Sequence, residues 1–257
     1  ENASRIGSIG MRLPFSQVKV VILDDNDQFL REAGINEIGV LAIQGPNVFN
    51  GYLEAKHNEK IWINIDGQRW LNSGDLGRMD QDEYLWLTGR KKELIIRGGH
   101  NIDPKSIEEP LAAMNGVNLV AAIGRPDSYA GEVPVVYLTL NDSSITAQHV
   151  MDYAVENIQE RAAVPKAIHI IKEMPTTAVG KIFKPQLSWW QIEDVIKGHF
   201  EEILDKAPDN ACNVSVTRHE KFGCMANNSL AKSVKKLDVE KLSTAFDAYN
   251  FHYNIQT

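Results

Sequence analysis

The sequence predicts an α+β protein: a small β-barrel-like N-terminal part, then a compact α+β domain, then a short C-terminal extension. Three observations support this. Up to about residue 90 the apolar residues fall in short β-rich runs broken by turn formers. From residue 92 to 188 strand-like and helix-like spacings alternate. Beyond residue 189 a long amphipathic stretch leads into further strand and helix candidates. The expected parts are therefore 1–91, 92–188 and 189–257.

In the first part, VKVVIL (18–23) and IGVLAI (38–43) are strand candidates, separated by the polar DDNDQ run and by Gly34. GPNVFNGY (45–52) reads as a turn and EYLWLTG (83–89) as another strand, making a small antiparallel or barrel-like unit. The second part opens on ELIIRGG, a strand ending in glycines. DPKSIEEPLAAM (103–114) follows as a helix, with Asp103 at the N-cap, Pro104 at the first helical position and acids in the early turns. VNLVAAIG and VPVVYLTL are strands around the polar loop GRPDSYAGE (124–132). Val150, Met151, Ala154, Val155 and Ile158 have helical spacing within 146–161. AIHIIK (167–172) is a strand, and the loop EMPTTAVGK comes after it. In the third part, residues 186–205 form a helix with Trp189, Ile192, Ile196, Phe200 and Ile203 on one stripe. NVSVT (213–217), DVEKLSTAFDAY (238–249) and FHYNI (251–255) are expected to form a β–α–β appendage.

Bulk properties exclude several classes. A net charge of -7 leaves no basic excess to neutralise phosphates, which argues against nucleic-acid binding. No run of about 18 apolar residues exists, so no transmembrane helix is expected. The chain starts at Glu1 with no signal-type apolar stretch, so it is expected to be an excised piece of a longer cytoplasmic protein. Cys212 and Cys224 are the only cysteines, a usage that suits free thiols in a reducing compartment. Cys212, His219, Cys224 and His252 have spacings that fit no common zinc pattern, and no metal site is expected.

Three stretches carry chemistry. In SGDLGR (73–78) Asp75 can offer two acceptor oxygens to a vicinal diol, although a turn residue is the plainer reading. In GRKKELIIRGGHNI (89–102) Arg90 can donate several bonds to a diol or phosphate. Lys92 sits where the composition changes, and Gly98 and Gly99 allow close approach to the backbone; a solvated basic turn is the alternative. In PTTAVGK (175–181) a proline and a glycine bracket a loop delivering Lys181, a compact cation suited to developing phosphoryl or oxyanion charge, or simply an exposed loop lysine.

In this order and spacing the three stretches resemble the C-terminal part of the adenylate-forming enzymes: acyl-CoA synthetases, adenylation domains and luciferases. RIGSIGMRLP (5–14) and GVLAIQGPNVFNGYL (39–53) are similar to that family as well, and the resemblance covers residues 5 to 188. It implies that residues 1–91 end a large N-terminal domain and that 92–188 form a mobile lid. It further implies that Asp75 binds the ribose hydroxyls of ATP with help from Arg90, that Lys92 is the hinge and that Lys181 enters the site during adenylation. Gly98 and Gly99 would line the pantetheine channel once the lid has turned. ATP, Mg2+ and CoA are the implied cofactors, with none held tightly by this piece. The implied partners are a carboxylic or fatty acid and the upstream domain, which would hold the phosphate loop, the adenine and acyl pockets and the magnesium ligands. Alone, this chain is expected to be inactive.

Within the family, RGGHNIDPKSIEE resembles the version in fatty-acyl–CoA ligases; Asn-His-Tyr in this loop, or an Asp hinge followed by Gln-Val-Lys, would mark other branches. From the Ile-Gln-Thr ending, a luciferase-like peroxisomal tail is not expected. Transfer to a carrier protein and a non-catalytic assembly module remain the alternatives. The extension exceeds the resemblance and is expected to stabilise the protein or form a homo-oligomer, with Trp189 and Trp190 as core or docking residues. Its helix sets Glu193, Asp194, Glu201, Glu202 and Asp205 against Lys197, which disfavours anionic lipid surfaces.

Overall fold

A computed structural model of the chain describes residues 5, 7–24, 26–204, 212–220, 222–231 and 234–256. Glu1, Ile6, Asp25, Asp205 and Thr257, used above, lie outside them. The chain is α+β and divides into two compact units, Glu1–Leu94 and Ile95–Thr257.

The first unit holds β1 (Gln17–Leu23), β2 (Phe29–Glu32), β3 (Gly39–Gln44), β4 (Trp62–Ile65), β5 (Gln68–Met79) and β6 (Leu85–Arg90). They make one antiparallel sheet in the order β2-β1-β3-β5-β4, with β6 paired to β5. Because VKVVIL and GVLAI carry apolar residues on both faces, the sheet buries both. Val21, Val40, Ala42, Ile63, Ile65, Trp70 and Leu76 pack together as one cluster, and Val20, Leu41 and Leu85 form another. The β4–β5 hairpin turns through Asp66 and Gly67, at φ 51° and 77°. Both residues therefore take the left-handed conformation that a two-residue primed turn needs.

The second unit contains β7 (Ile95–Arg97), β8 (His100–Ile102), α1 (Lys105–Ala112), β9 (Val117–Asp127), β10 (Gly131–Leu140), α2 (Ala147–Asn157), β11 (Ala167–Ile170) and α3 (Lys184–Ile203). Its sheet runs β11-β10-β7-β8, with β9 along the other edge of β10. Only the β10–β11 pairing is parallel in this sheet. β10 is buried from Val133 to Thr139 because both of its faces are covered. Ile95, Ile107, Leu111, Val136, Leu138, Val150 and Ala154 share one core, while Val135, Tyr137, Met174 and Leu187 at the start of α3 share a second.

Several elements differ from expectation. α1 begins at Lys105 with Pro104 as its flanking residue, one place later than expected, although Asp103 still accepts a bond from the Lys105 N–H at 3.0 Å. α2 ends at Asn157, and Val155, expected on its buried stripe, is exposed. Most of the expected loop 124–132 is strand. Its polar residues are partnered along the strands, with Glu132 accepting from the Ile96 N–H at 2.9 Å and Asp127 closing the turn on Tyr129 and Ala130.

The rest of the second unit is β12 (Cys212–His219), β13 (Gly223–Leu230), α4 (Lys236–Phe246) and β14 (Tyr253–Gln256), in sheet order β12-β13-β14. The expected β–α–β joined NVSVT to FHYNI. Instead β12 and β13 form an antiparallel hairpin, and α4 links β13 to its parallel neighbour β14. GCMANNSL has no clean apolar alternation, because Asn228 occupies an inward position; it is fully buried and donates to the Asn254 carbonyl at 2.9 Å. α3 is continuous through residue 188. Leu187 joins the sheet core, while Ile192, Val195, Ile196 and Phe200 join the core of the C-terminal strands with Leu242 and Phe246.

Candidate functional site

β5 carries Asp75 on a double irregularity. Between the pairs Ala42↔Asn72 and Val40↔Leu76, β3 uses only Leu41 while β5 uses Ser73, Gly74 and Asp75. On the opposite edge, β6 inserts Thr88 between its partners for Leu76 and Gly77. The bulge takes Ser73–Asp75 out of the ladder with β3 while Asp75 stays paired to β6, and such bulges are a common device for aiming side chains at a ligand. Gly74 takes φ 73°, and no atom lies within 4 Å of where its Cβ would stand, so backbone conformation alone explains this glycine. The displaced N–H groups are satisfied locally: Gly74 N–H donates to Asn72 Oδ1 and Asp75 N–H to Ser73 Oγ, both at 3.0 Å. Asn72 and Ser73 were missed by the motif reading, although NSG is a recognisable side-chain turn signature.

Asp75 and Arg90 are direct partners in the β5–β6 register, and Arg90 Nε donates to Asp75 Oδ1 at 3.2 Å. Their side chains are 32% and 66% exposed. The arrangement leaves Asp75 Oδ2 as an acceptor and the Arg90 terminal N–H groups as donors, side by side and open to solvent. A cis-diol needs both kinds of partner, and the pair fits one. Asp75 is thus a strand residue at a bulge and not a residue of a tight turn.

After Arg90 the chain makes a single 3-10 turn, Lys91–Glu93. Lys91 Nζ bonds Asp27 at 2.7 Å, whereas Lys92 is exposed and forms no ion pair among the described residues. Leu94 packs against the core of the first unit, and its neighbour Ile95 is wholly buried in the second. The transition between units therefore takes a single peptide step, two residues past Lys92.

In the second unit Gly98 and Gly99 form the two-residue tip of the β7–β8 hairpin, closed by the pair Arg97↔His100. Their φ values of 55° and 85° suit a primed turn, and open space surrounds both. The hairpin is anchored by Gly98 N–H to the Ala130 carbonyl at 2.8 Å and by Arg97 Nη1 to the Ala162 carbonyl at 2.6 Å.

Lys181 lies on a small closed loop bracketed by a bridge between Thr176 and Ile182. Thr177 N–H donates to the Lys181 carbonyl at 2.7 Å, and Lys181 N–H donates to Thr177 Oγ1 at 3.2 Å. Gly180 at φ 78° lets the chain reverse. The backbone at Lys181 is thus pinned while its ammonium stays in solvent. Lys184, at the start of α3, reaches Glu108 Oε1 at 2.8 Å, and that carboxylate also accepts the Ala122 N–H at 2.8 Å. Asp75, Arg90 and Lys92 belong to the first unit, and Gly98, Gly99 and Lys181 to the second.

Residues 106–181 match the AMP-binding enzyme C-terminal domain. Marinolic acid–CoA ligase of Pseudoalteromonas sp. (strain SANK 73390) is 41% identical over 253 residues, 97% of this chain and 38% of that protein. Long-chain-fatty-acid–CoA ligase of Salmonella typhimurium is 33% identical over 181 residues, 70% of this chain and 31% of the relative. Among solved structures, the O-succinylbenzoate coenzyme A synthetase of Bacillus subtilis in complex with ATP and magnesium ion is similar at a TM-score of 0.61. It is 29% identical and covers 71% of this chain and 36% of that one. The chain thus spans about a third of the length of the relatives it matches. The 97% match also takes in β12, β13 and α4, which follow α3.

Proposed function

We propose, on the premise that this chain belongs to the adenylate-forming (AMP-binding) enzymes, that it is the C-terminal part of an ATP-dependent ligase joining a fatty or similar carboxylic acid to CoA. The observation that carries this reading is the 41% identity to an acid–CoA ligase along almost the whole chain. A diol-competent Asp75–Arg90 pair and a pinned Lys181 loop, on either side of a one-step junction, are consistent with it.

In the first half-reaction a carboxylate oxygen of the acid attacks the α-phosphorus of ATP, the bond to pyrophosphate breaks, and an acyl-adenylate forms. Asp75 accepts from the ribose hydroxyls and Arg90 donates to them. Lys181 Nζ stabilises the charge gathering on the phosphoryl oxygens, the kind of preorganised electrostatic contact that dominates such steps. In the second, the CoA thiol gives up its proton, sulfur attacks the acyl carbon, and the bond to AMP breaks. Rotation at Lys92 withdraws Lys181 and brings the Gly98–Gly99 hairpin beside the pantetheine arm, a hinge motion confined to a few backbone angles.

Mg2+ accompanies ATP in this reading, and no residue of this chain is assigned to it. The phosphate loop and the adenine and acyl pockets belong to the upstream domain, so residues 1–257 alone are inactive. Leu13, Phe15, Tyr52 and Leu53, each more than half exposed, supply apolar surface for that domain to cover. The same reading assigns 1–91 to the large domain, 92–188 to the lid and 189–257 to an extension that moves with it, in the cytoplasm. The test is thioester formation by the full-length protein from ATP, free CoA and acids from acetate to long-chain fatty acids. Acyl-CoA appearing with equal amounts of AMP and pyrophosphate is expected. Acylation of a carrier phosphopantetheine but never of free CoA would redirect the second step, and no thioester with any acid would favour an assembly module.

A further inference from the structure

The ligase reading gives no role to the Trp189–Trp190 pair, and Trp190 forms one wall of a cavity of about 270 Å³ between β10, β11 and α3. Tyr137, His169, Gln191 and Lys197 also line it. Its polar groups are oriented by a chain of obligatory donors. Arg125 Nη1 donates to Gln191 Oε1 and to Asp194, both at 2.5 Å. A guanidinium has no acceptor, so the amide oxygen of Gln191, a residue only 2% exposed, must face it. The amide nitrogen consequently faces Tyr137 Oη at 2.6 Å and His169 Nε2 at 3.2 Å, and both must accept.

That geometry holds His169 as its Nδ1–H tautomer. Burial and the nearby Arg125 charge also lower its pKa, which keeps it neutral. The Tyr137 hydroxyl hydrogen is turned away from Gln191, and burial keeps the phenol protonated. Two donors without an acceptor among the described residues, Tyr137 O–H and His169 Nδ1–H, thus sit on rings that line the cavity. The rings are neighbours in the β10–β11 register and stack at 4.6 Å, and Trp190 stands 5.8 Å from Tyr137. Around the cavity, Arg125 is matched by Asp194, and Glu193, which accepts the Val216 N–H at 3.0 Å, is balanced by Lys197.

We propose that this cavity binds a small planar aromatic compound carrying a hydrogen-bond acceptor, a benzoate-like or benzamide-like molecule. The aromatic walls take the ring and the two oriented donors take the acceptor. The volume falls just under the range of pockets for drug-sized ligands, which limits the ligand to one ring with a short substituent. Near-neutral surroundings admit either a carboxylate or an amide, and Lys197 at the rim tells them apart.

The test reads binding to the 257-residue chain itself, so its outcome is independent of ligase activity. Tryptophan indole 15N signals are followed while benzoate, benzamide or cyclohexanecarboxylate is added to about 10 mM, with Trp190→Phe assigning the relevant signal. Saturable shifts of the Trp190 signal are expected, with Kd on the order of 1 mM for benzoate or benzamide. Tyr137→Phe should weaken binding about fivefold without altering the other tryptophan signals. Tighter binding of benzoate than of benzamide by the parent, with the preference abolished in Lys197→Ala, identifies the carboxylate as the ligand chemistry; tighter binding of benzamide, unchanged in that variant, identifies the amide. The proposal is overturned if neither compound gives a saturable shift, if cyclohexanecarboxylate binds as well as benzoate, or if Tyr137→Phe changes nothing.

Discussion

Asp75→Asn keeps the shape of the side chain and removes its charge. The Asp75–Arg90 pair is 32% and 66% exposed, so its contribution to folding is about 0.2–1 kcal/mol, as for other exposed pairs. The bulge that presents Asp75 is held by Asn72 and Ser73, which the substitution leaves in place. The chain should therefore melt within about 5 °C of its parent. Recognition is a different matter, because bonds from a charged group to ligand hydroxyls contribute about 1.5–3 kcal/mol each. ATP affinity of the full-length protein should accordingly fall about 10- to 100-fold, read by calorimetric titration beside thermal melts of the chain. A melt lowered by more than about 8 °C with ATP affinity unchanged would make Asp75 a structural residue and refute the assignment.

Three further perturbations follow from the same geometry. Lys92→Pro fixes φ at the exposed turn before the junction. Thioester formation should drop well below adenylation in the full-length protein, and equal losses in the two half-reactions would argue against Lys92 as the pivot. Glu108→Ala removes the acceptor for the Ala122 N–H and for Lys184, on a side chain only 18% exposed. It should destabilise the second unit by about 2–3 kcal/mol, with Glu108→Gln recovering most of the loss; a melt within about 2 °C of the parent would contradict this. His169 has a folded pKa below its ordinary 6.5, so its contribution is complete above that value and is lost as pH falls toward the folded pKa. Denaturant titrations from neutral to mildly acidic pH should show a steeper loss of stability in the parent than in His169→Gln, and parallel curves would rule out this origin.

The strands and helices with strong periodicity were legible in the sequence. VKVVIL, IGVLAI and VPVVYLTL are strands, and the stripe from Ile192 to Phe200 lies on one buried helix face. The Asp66–Gly67 hairpin is encoded by the DG pair in INIDGQRW, whereas Asp75, whose plainer reading is a turn residue, lies on β5 at a bulge. β13 was not readable, since its inward Asn228 is held in part by a bond to β14, a strand distant in sequence. Among the candidate site residues, Asp75 and Arg90 were found as separate motifs, and their direct pairing follows from a register that no local pattern encodes. Glycine pairs announce turns, and Gly98–Gly99 is one. The polar cluster around Gln191 was invisible because its members come from β9, β10, β11 and α3 and meet only after the sheet has formed.

The most direct test of the ligase account is acid-dependent ATP–pyrophosphate exchange by the full-length protein, with Lys181→Ala in parallel. Lys181 is exposed and its loop is closed by backbone groups and Thr177, so the variant should fold as the parent does. Exchange with a subset of acids is predicted, lowered by about a hundredfold or more in the variant. Exchange that proceeds equally well without the Lys181 ammonium would contradict the account.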